Sequence, residues 1–261
     1  MKKALILLLV FSLLLLGACS SAPQPDADTD EAYTEPTSAQ NDDGELNIKF
    51  TPKHDEIFAD DGTLVFTSDI TVPAFAGGCA DAIALDFSEV LDQVDAECMD
   101  IISAARETYA EWEGSEFPVY QDDLSVTVTR NDGKLLSLCC DSYVFMGYEE
   151  GTAMAQGVNY SAQTGERLTL EDICSDSESF IDFLYDRAVS SIENGGYELN
   201  DDWLEILRDD LDYGGNWCLD DDGIVLLFGS YEFTPQSDSV ISVCIPYSEI
   251  SEYIGEFCPT R

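Results

Sequence analysis

The chain has 261 residues, of which 53 are acidic and 11 are basic, so its formal charge at pH 7 is −42. This charge excludes nucleic acid as a partner, because binding a phosphate backbone requires clustered Lys and Arg side chains. Cationic proteins, by contrast, would be attracted to the chain.

The first nineteen residues predict a lipoprotein signal peptide. Lys2 and Lys3 form a positive start, and residues 4–16 are apolar except for Ser12, a length typical of a signal-peptide core but too short to span a bilayer. Leu-Gly-Ala-Cys at positions 16–19 has the pattern of a lipobox. We therefore predict cleavage after residue 18 and acylation of Cys19, which would anchor the protein on the outer side of the cell membrane. The alternatives are an ordinary secretory signal or a short core helix, with Cys19 an incidental thiol.

A disordered acidic tether is predicted after the cleavage site, over residues 19–45. This segment is rich in Ser, Ala, Pro, Thr, Asp and Glu and contains neither Lys nor Arg, so it cannot bury enough apolar surface to fold. One folded extracellular domain is then expected over residues 46–261. Cleavage would remove Lys2 and Lys3 and leave nine basic and 53 acidic side chains, a formal charge of −44.

The first half of the domain predicts strands followed by a long helix. Alternating apolar residues at 64–66 and 70–72 indicate strands that end near Pro73 and the glycines at 77 and 78. Apolar residues then recur at steps of three and four, which is the pattern of an amphipathic helix. The members of this stripe are Ile83, Phe87, Leu91, Val94, Cys98, Ile101, Ala105, Tyr109 and Trp112.

The second half predicts further strands and shorter helices. Asn-Asp-Gly at 131–133 indicates a hairpin between strands 124–130 and 134–145, and another strand is predicted at 154–162. Helices are predicted at 179–193 and 202–211, followed by strands 217–219, 224–228 and 240–245 and a short helix at 248–254. This order favours an α+β fold of antiparallel sheets packed with one long and several shorter helices.

Eight cysteines follow Cys19, an even number that predicts disulfides in an exported chain. We expect at least two disulfides; the alternative is that the thiols stay free and buried as small apolar side chains. Their spacing is not typical of zinc ligands, and we expect no metal and no other cofactor. Cys139 and Cys140 are adjacent in a predicted strand, so their side chains should face opposite sides of a sheet.

Several stretches resemble the extracellular domains of RsiV-like proteins. They are Leu-Leu-Ser-Leu-Cys-Cys-Asp-Ser-Tyr-Val-Phe at 135–145, the segment 158–173, and the segments 219–228, 231–235 and 245–250 near the end. The family includes the lysozyme-sensing ectodomain of anti-sigma factors and a domain fused to some peptidoglycan polysaccharide deacetylases. The resemblance covers residues 70–254. It implies a binding or sensing domain whose partner is lysozyme or another cationic extracellular protein.

The sequence departs from the family pattern at several places. It shows no transmembrane helix with a sigma-binding segment and no catalytic domain, so direct control of a sigma factor and deacetylase activity are not expected. Residues 146–151 replace a Gly-Gly-Ala-His-like turn and carry no histidine. Gln-Ser-Asp-Ser follows Pro235, where relatives frequently have an aromatic residue.

The predicted partner-binding residues are Tyr231, Phe233, Pro235 and Gln236. Aromatic side chains beside a proline can bury a large area at a low cost in entropy. The alternative is that Tyr231 and Phe233 are strand residues that alternate into the core.

No catalytic residue is predicted. His54 is the only histidine, and its place just after the tether indicates an exposed strand edge. The sequence contains none of the common nucleophile, zinc-protease or phosphate-binding motifs. Acidic pairs such as Asp209 and Asp210 are expected on solvated faces or helix caps, and residues 220–223 as a hairpin turn, with a calcium loop as the alternative.

The sequence therefore predicts a membrane-anchored extracellular lipoprotein that acts as a non-catalytic binding or sensing module. Two alternatives remain. One is a carboxylate-based hydrolase acting on cell-wall polysaccharide, and the other is a structural surface lipoprotein.

Overall fold

The computed structural model describes residues 45–147, 150–235 and 240–258. The predicted signal peptide, Cys19 and the tether up to residue 44 lie outside these residues, as does Gln236. The described chain forms an α+β fold with two sheets, as predicted from the sequence. None of its helices, over the described residues, is both long and apolar enough to cross a bilayer.

The large sheet has five strands in sequence order: β1 (Asn47–Phe58), β2 (Leu64–Ala76), β3 (Tyr120–Asn131), β4 (Leu135–Phe145) and β5 (Thr152–Ser161). Neighbouring strands are antiparallel except β2 and β3, which are parallel because helix α1 (Ala80–Ala110) crosses over between them. β2 also continues past Pro73, where a strand end was expected. It pairs with β3 only between Phe66 and Ile70, so the edge near Pro73 is free and tolerates a proline.

Helix α1 covers one face of the large sheet. The predicted apolar stripe is confirmed within α1, since Ile83, Phe87, Ile101 and Ala105 are buried against β2, β3 and β4. Trp112, the last member of the predicted stripe, lies past the end of the helix and is 40% exposed. Residues of the sheet alternate between this face and the opposite one, as the pleat requires. Cys140 therefore packs in the α1 core while Cys139 faces the other side, as predicted.

The small sheet consists of β6 (Trp217–Leu219), β7 (Gly223–Phe228) and β8 (Ile241–Pro246), all antiparallel. One of its faces packs on α2 (Leu170–Ile173), α3 (Ser177–Asn194), α4 (Trp203–Asp212) and α5 (Tyr247–Ile250). Helix α5 ends at Ile250, earlier than predicted, and turns lead to a short 3-10 helix at Gly255–Phe257. The Asp220 carboxylate accepts the backbone N–H groups of Asp222 and Gly223, which closes the predicted hairpin turn.

The edge strand of the small sheet, β6, packs against the face of the large sheet opposite α1. Polar side chains of three neighbouring strands satisfy the free backbone groups of β6. Asn159 donates to Trp217 O (2.9 Å), Thr129 donates to Leu219 O (2.8 Å), and Ser137 Oγ accepts from Leu219 N (2.9 Å). This contact leaves the remainder of the face of the large sheet open beside the small sheet.

Candidate functional site

The corner between the two sheets contains a groove with a volume of about 610 Å³. This is within the range of about 300 to 1,000 Å³ typical of ligand sites. We call it the corner groove. It is lined by Pro52 and Lys53, residues 69–71, 123–125 and 141–143, and Ala153, Met154 and Val240.

Three aspartates make the corner groove acidic: Asp69 on β2, Asp123 on β3 and Asp141 on β4. Asp123 is fixed in place because its Oδ1 accepts the backbone N–H of Asp69 at 2.9 Å. Lys53 also lines the groove, but its ammonium group pairs with Asp55 (3.3 Å) and Asp95 (3.5 Å). The groove therefore presents more negative than positive charge.

His54 is a titratable basic side chain in direct contact with one of these carboxylates. It is exposed on β1, the edge strand, as expected, and its Nδ1 lies 2.9 Å from Asp69 Oδ1. The hydrogen bond to Asp69 is the main cause that raises the pKa of His54, with Glu56 adding a smaller effect. As the pH falls and His54 becomes protonated, it offsets part of the charge of Asp69.

An exposed aromatic side chain gives the acidic groove an apolar component. Tyr143 on β4 is 37% exposed and is the cross-strand partner of Asp123, so both side chains project from the same face of the sheet. Met154 is exposed on the α1 side instead, because its cross-strand partner Ser142 pairs with Leu124 of the α1 core. A tyrosine supplies a large amphipathic surface, and aromatic side chains are enriched in protein interfaces.

The loop of residues 229–235, here called the Tyr231 loop, lies at the groove edge formed by β5. Ser230 N donates to Ala153 O at 2.8 Å, and Ala153 N donates to Ser230 Oγ at 3.1 Å. Tyr231 has a positive φ of 64° and is 44% exposed. A non-glycine residue in this conformation costs about 1 to 3 kcal/mol and persists only where its surroundings fix it, which is common at ligand-binding sites.

The predicted partner-binding residues fall into two groups. Tyr231 and Pro235 are exposed, whereas Phe233 is only 1% exposed. Its ring packs 4.7 Å from that of Phe228 and 6.2 Å from that of Trp203. The prediction that Phe233 contacts a partner directly is therefore wrong, because its buried side chain packs in the core and fixes the loop there.

Two partly buried carboxyl groups lie close to each other, those of Glu232 in the Tyr231 loop and Asp210 on α4. Burial, and then the nearby charge of Asp210 on α4, raise the pKa of Glu232 to about 7. Burial also raises the pKa of Asp210 to about 6, although a hydrogen bond from the Asn216 backbone partly opposes this rise in pKa. Glu232 Oε2 accepts Gly229 N at 2.7 Å, while Asp210 Oδ2 is buried with no partner among the described residues. Asp210 is thus not the solvated side chain that the sequence predicts.

The eight cysteines after Cys19 are all free thiols in the structure. Cys98 lies in the α1 core, and its thiol donates to the buried Asp122 carboxylate at 3.0 Å. Burial is the main cause that raises the pKa of both groups. The two or more disulfides expected from the sequence remain a prediction.

No protein-family model matches the sequence, and no curated protein matches it. Solved structures do. A DUF3298 family member from Bacteroides fragilis is similar over 82% of this chain and 95% of its own, with a TM-score of 0.58 and 18% identity. A DUF3298 family protein from Pseudomonas aeruginosa is similar over 83% and 98%, with a TM-score of 0.50 and 15% identity. At these identities the comparison shows the fold, and the described domain has the fold of these DUF3298 proteins.

Proposed function

We propose that this protein is a non-catalytic binding or sensing module whose corner groove holds a cationic extracellular protein. The observation that carries the proposal is the groove itself, which combines three aspartates with exposed Tyr143 next to the Tyr231 loop. Negative charge raises the rate at which a basic partner is encountered, and the apolar side chains supply area that a simple charge attraction lacks.

Lysozyme is the partner that we propose within this class. The support is the sequence resemblance to RsiV-like ectodomains, which contain the DUF3298 domain of the two structural neighbours. Lysozyme is cationic, so its charge complements both the groove and the formal charge of −42 of the chain. Basic side chains on lysozyme would pair with Asp69, Asp123 and Asp141.

The test is calorimetric titration of lysozyme against the full chain at near-physiological salt. We expect the triple variant Asp69→Asn, Asp123→Asn, Asp141→Asn to bind about tenfold more weakly, since three exposed ion pairs contribute about 0.5 kcal/mol each. Asparagine keeps an acceptor for the Asp69 backbone N–H, so the fold should be preserved.

A matched control removes the same number of charges elsewhere. Glu89, Asp92 and Asp100 are exposed on α1, which covers the opposite face of the large sheet. Changing these three residues to Gln, Asn and Asn should alter the affinity by no more than about twofold. Equal weakening by both triple variants would mean that only net charge is sensed, and would reject the groove as the site.

Tyr231→Ala provides a separate test of specific contact. We expect this variant to weaken lysozyme binding about tenfold at both low and near-physiological salt, because an aromatic contact is not screened. Binding that is unchanged in a folded Tyr231→Ala protein would remove the Tyr231 loop from the proposed interface.

Anchoring at the membrane is a second part of the proposal. We expect Cys19→Ala to abolish fatty-acid labelling, because the thiol of Cys19 is the only acceptor for diacylglycerol at the lipobox. The measurement is metabolic labelling with a radioactive or clickable fatty acid, followed by fractionation into membrane and medium. A Cys19→Ala protein that still carries label would contradict the predicted anchor.

One observation favours a second candidate function, a carboxylate-based hydrolase. Glu232 and Asp210 are neighbouring carboxyl groups with raised pKa values, as general acids often are. Neither residue lines the corner groove. Incubation with purified peptidoglycan separates the candidates: product release by the wild type that is lost in Glu232→Gln would favour the hydrolase over the binding module.

A further inference from the structure

We propose that Cys139 of β4 and Cys218 of β6 form a disulfide that joins the large and small sheets. Both residues lie at the corner where β6 meets the large sheet, in one apolar cluster with Ala155 and Leu227. The proposal concerns a covalent modification site and does not depend on the proposed function.

Two backbone relations place these residues side by side. Gly157 of β5 is so close to β6 that an added Cβ atom would lie 2.9 Å from the backbone nitrogen of Cys218. Cys139 is the direct cross-strand partner of Gly157, and such partners have Cα atoms about 4.5 to 5.5 Å apart. Cys139 and Cys218 therefore adjoin the same glycine, which makes them candidates for the Cα separation of about 4.4 to 6.8 Å that a disulfide spans.

The two side chains also lie on the same side of the large sheet, packed in one cluster between the sheets. The Cys139 thiol lies 3.7 Å from Asp141 Oδ1, and its closeness to Cys218 raises the pKa of Cys139 and lowers that of Cys218. Cys98 and Cys79 lie elsewhere and donate to Asp122 Oδ2 at 3.0 Å and to Ala162 O at 3.3 Å. Cys140 is excluded as the partner of Cys218 because it packs on the α1 side of the sheet.

The reaction is thiol–disulfide exchange with a small disulfide of the oxidised-glutathione class as oxidant. The Cys218 thiolate attacks one sulfur of the small disulfide, forms a mixed disulfide and releases one small thiolate. The Cys139 thiolate then attacks the sulfur of Cys218 and releases the second small thiolate. The protein thiols lose two electrons and two protons, and the small disulfide gains them as two thiols.

The test is to refold the reduced, denatured full chain in a glutathione redox buffer and map its disulfides by mass spectrometry without reduction. Refolding gives the oxidant access to both thiols before they are buried. We expect a peptide containing Cys139 linked to one containing Cys218. The oxidised protein should melt about 5 to 10 °C higher than the reduced one, because the bond closes a long loop.

Three variants separate this pair from its neighbours. Because Cys139 and Cys140 lie on one peptide, the link must persist in Cys140→Ser and disappear in both Cys139→Ser and Cys218→Ser. The shift in melting temperature must follow the link. A wild-type chain that refolds with both thiols free, or a link to Cys218 that survives in Cys139→Ser, would overturn the proposal.

Discussion

Replacing Gly157 by alanine is expected to lower the melting temperature of the domain by about 10 °C. The added Cβ would lie 1.6 Å from Trp217 O and 2.2 Å from Trp217 C. Both are backbone atoms of β6, so a rotation of a side chain cannot relieve the clash. The small sheet would have to move away, and the hydrogen bond that Asn159 donates to Trp217 O would break.

Thermal unfolding followed by circular dichroism measures this loss, with Gly255→Ala as the matched control. An added Cβ at Gly255 meets no atom within 4 Å, so its melting temperature should stay within about 2 °C of the wild type. We also expect Gly157→Ala to bind lysozyme more weakly, because the corner groove requires the docked small sheet. A Gly157→Ala protein as stable as the control would disprove the close approach of β6 to the large sheet.

Replacing Glu232 by glutamine is expected to stabilise the domain at neutral pH. In the folded state the pKa of Glu232 is about 7, above its ordinary value of 4.5. The folded protein thus binds more protons than the unfolded chain between these values, and the wild type loses stability as the pH rises through this window. Glutamine carries no charge to desolvate or to repel Asp210, and it keeps an acceptor for the Gly229 N–H.

Urea denaturation at pH 4.5 and pH 8 measures the effect. The gain in free energy of unfolding should be small at pH 4.5 and about 1 to 3 kcal/mol at pH 8, since one pKa unit corresponds to about 1.4 kcal/mol. Glu252→Gln, a change at an exposed glutamate, should show no such gain. If Glu232→Gln were equally stabilised at both pH values, the titration of Glu232 would not be the cause.

Elements with a strong local pattern could be predicted from the sequence. The apolar residues of α1 recur at helical spacing, and those from Ala80 to Ala105 are buried along one side of the helix. Residues Asn131 to Gly133 specify a tight hairpin turn. β1 was not predicted as a separate strand, because nearly all its residues are exposed and no apolar alternation marks it. Its strand conformation follows from pairing with β2 along its entire length.

The corner groove could not be predicted, for a different reason. The sequence shows that successive side chains of a strand alternate between the two faces of the sheet, so one face carries Asp123, Asp141 and Tyr143. The sequence does not indicate which face of the sheet stays open to solvent. That depends on where β6 docks, through Thr129, Ser137 and Asn159. Asp210 was misjudged for the same reason, since its burial depends on packing beneath a loop that is distant in sequence.

The docking of β6 also has a consequence for the order of folding. Its hydrogen bonds to Asn159, Ser137 and Thr129 join residues 58, 82 and 90 positions apart, whereas β3, β4 and β5 pair through short hairpins. Contacts between distant positions carry the larger entropy of loop closure and tend to form late. We therefore expect the hairpins to form first and the small sheet to dock last. Since the corner groove exists only after this last step, any partner proposed to bind there could be held only once folding is complete.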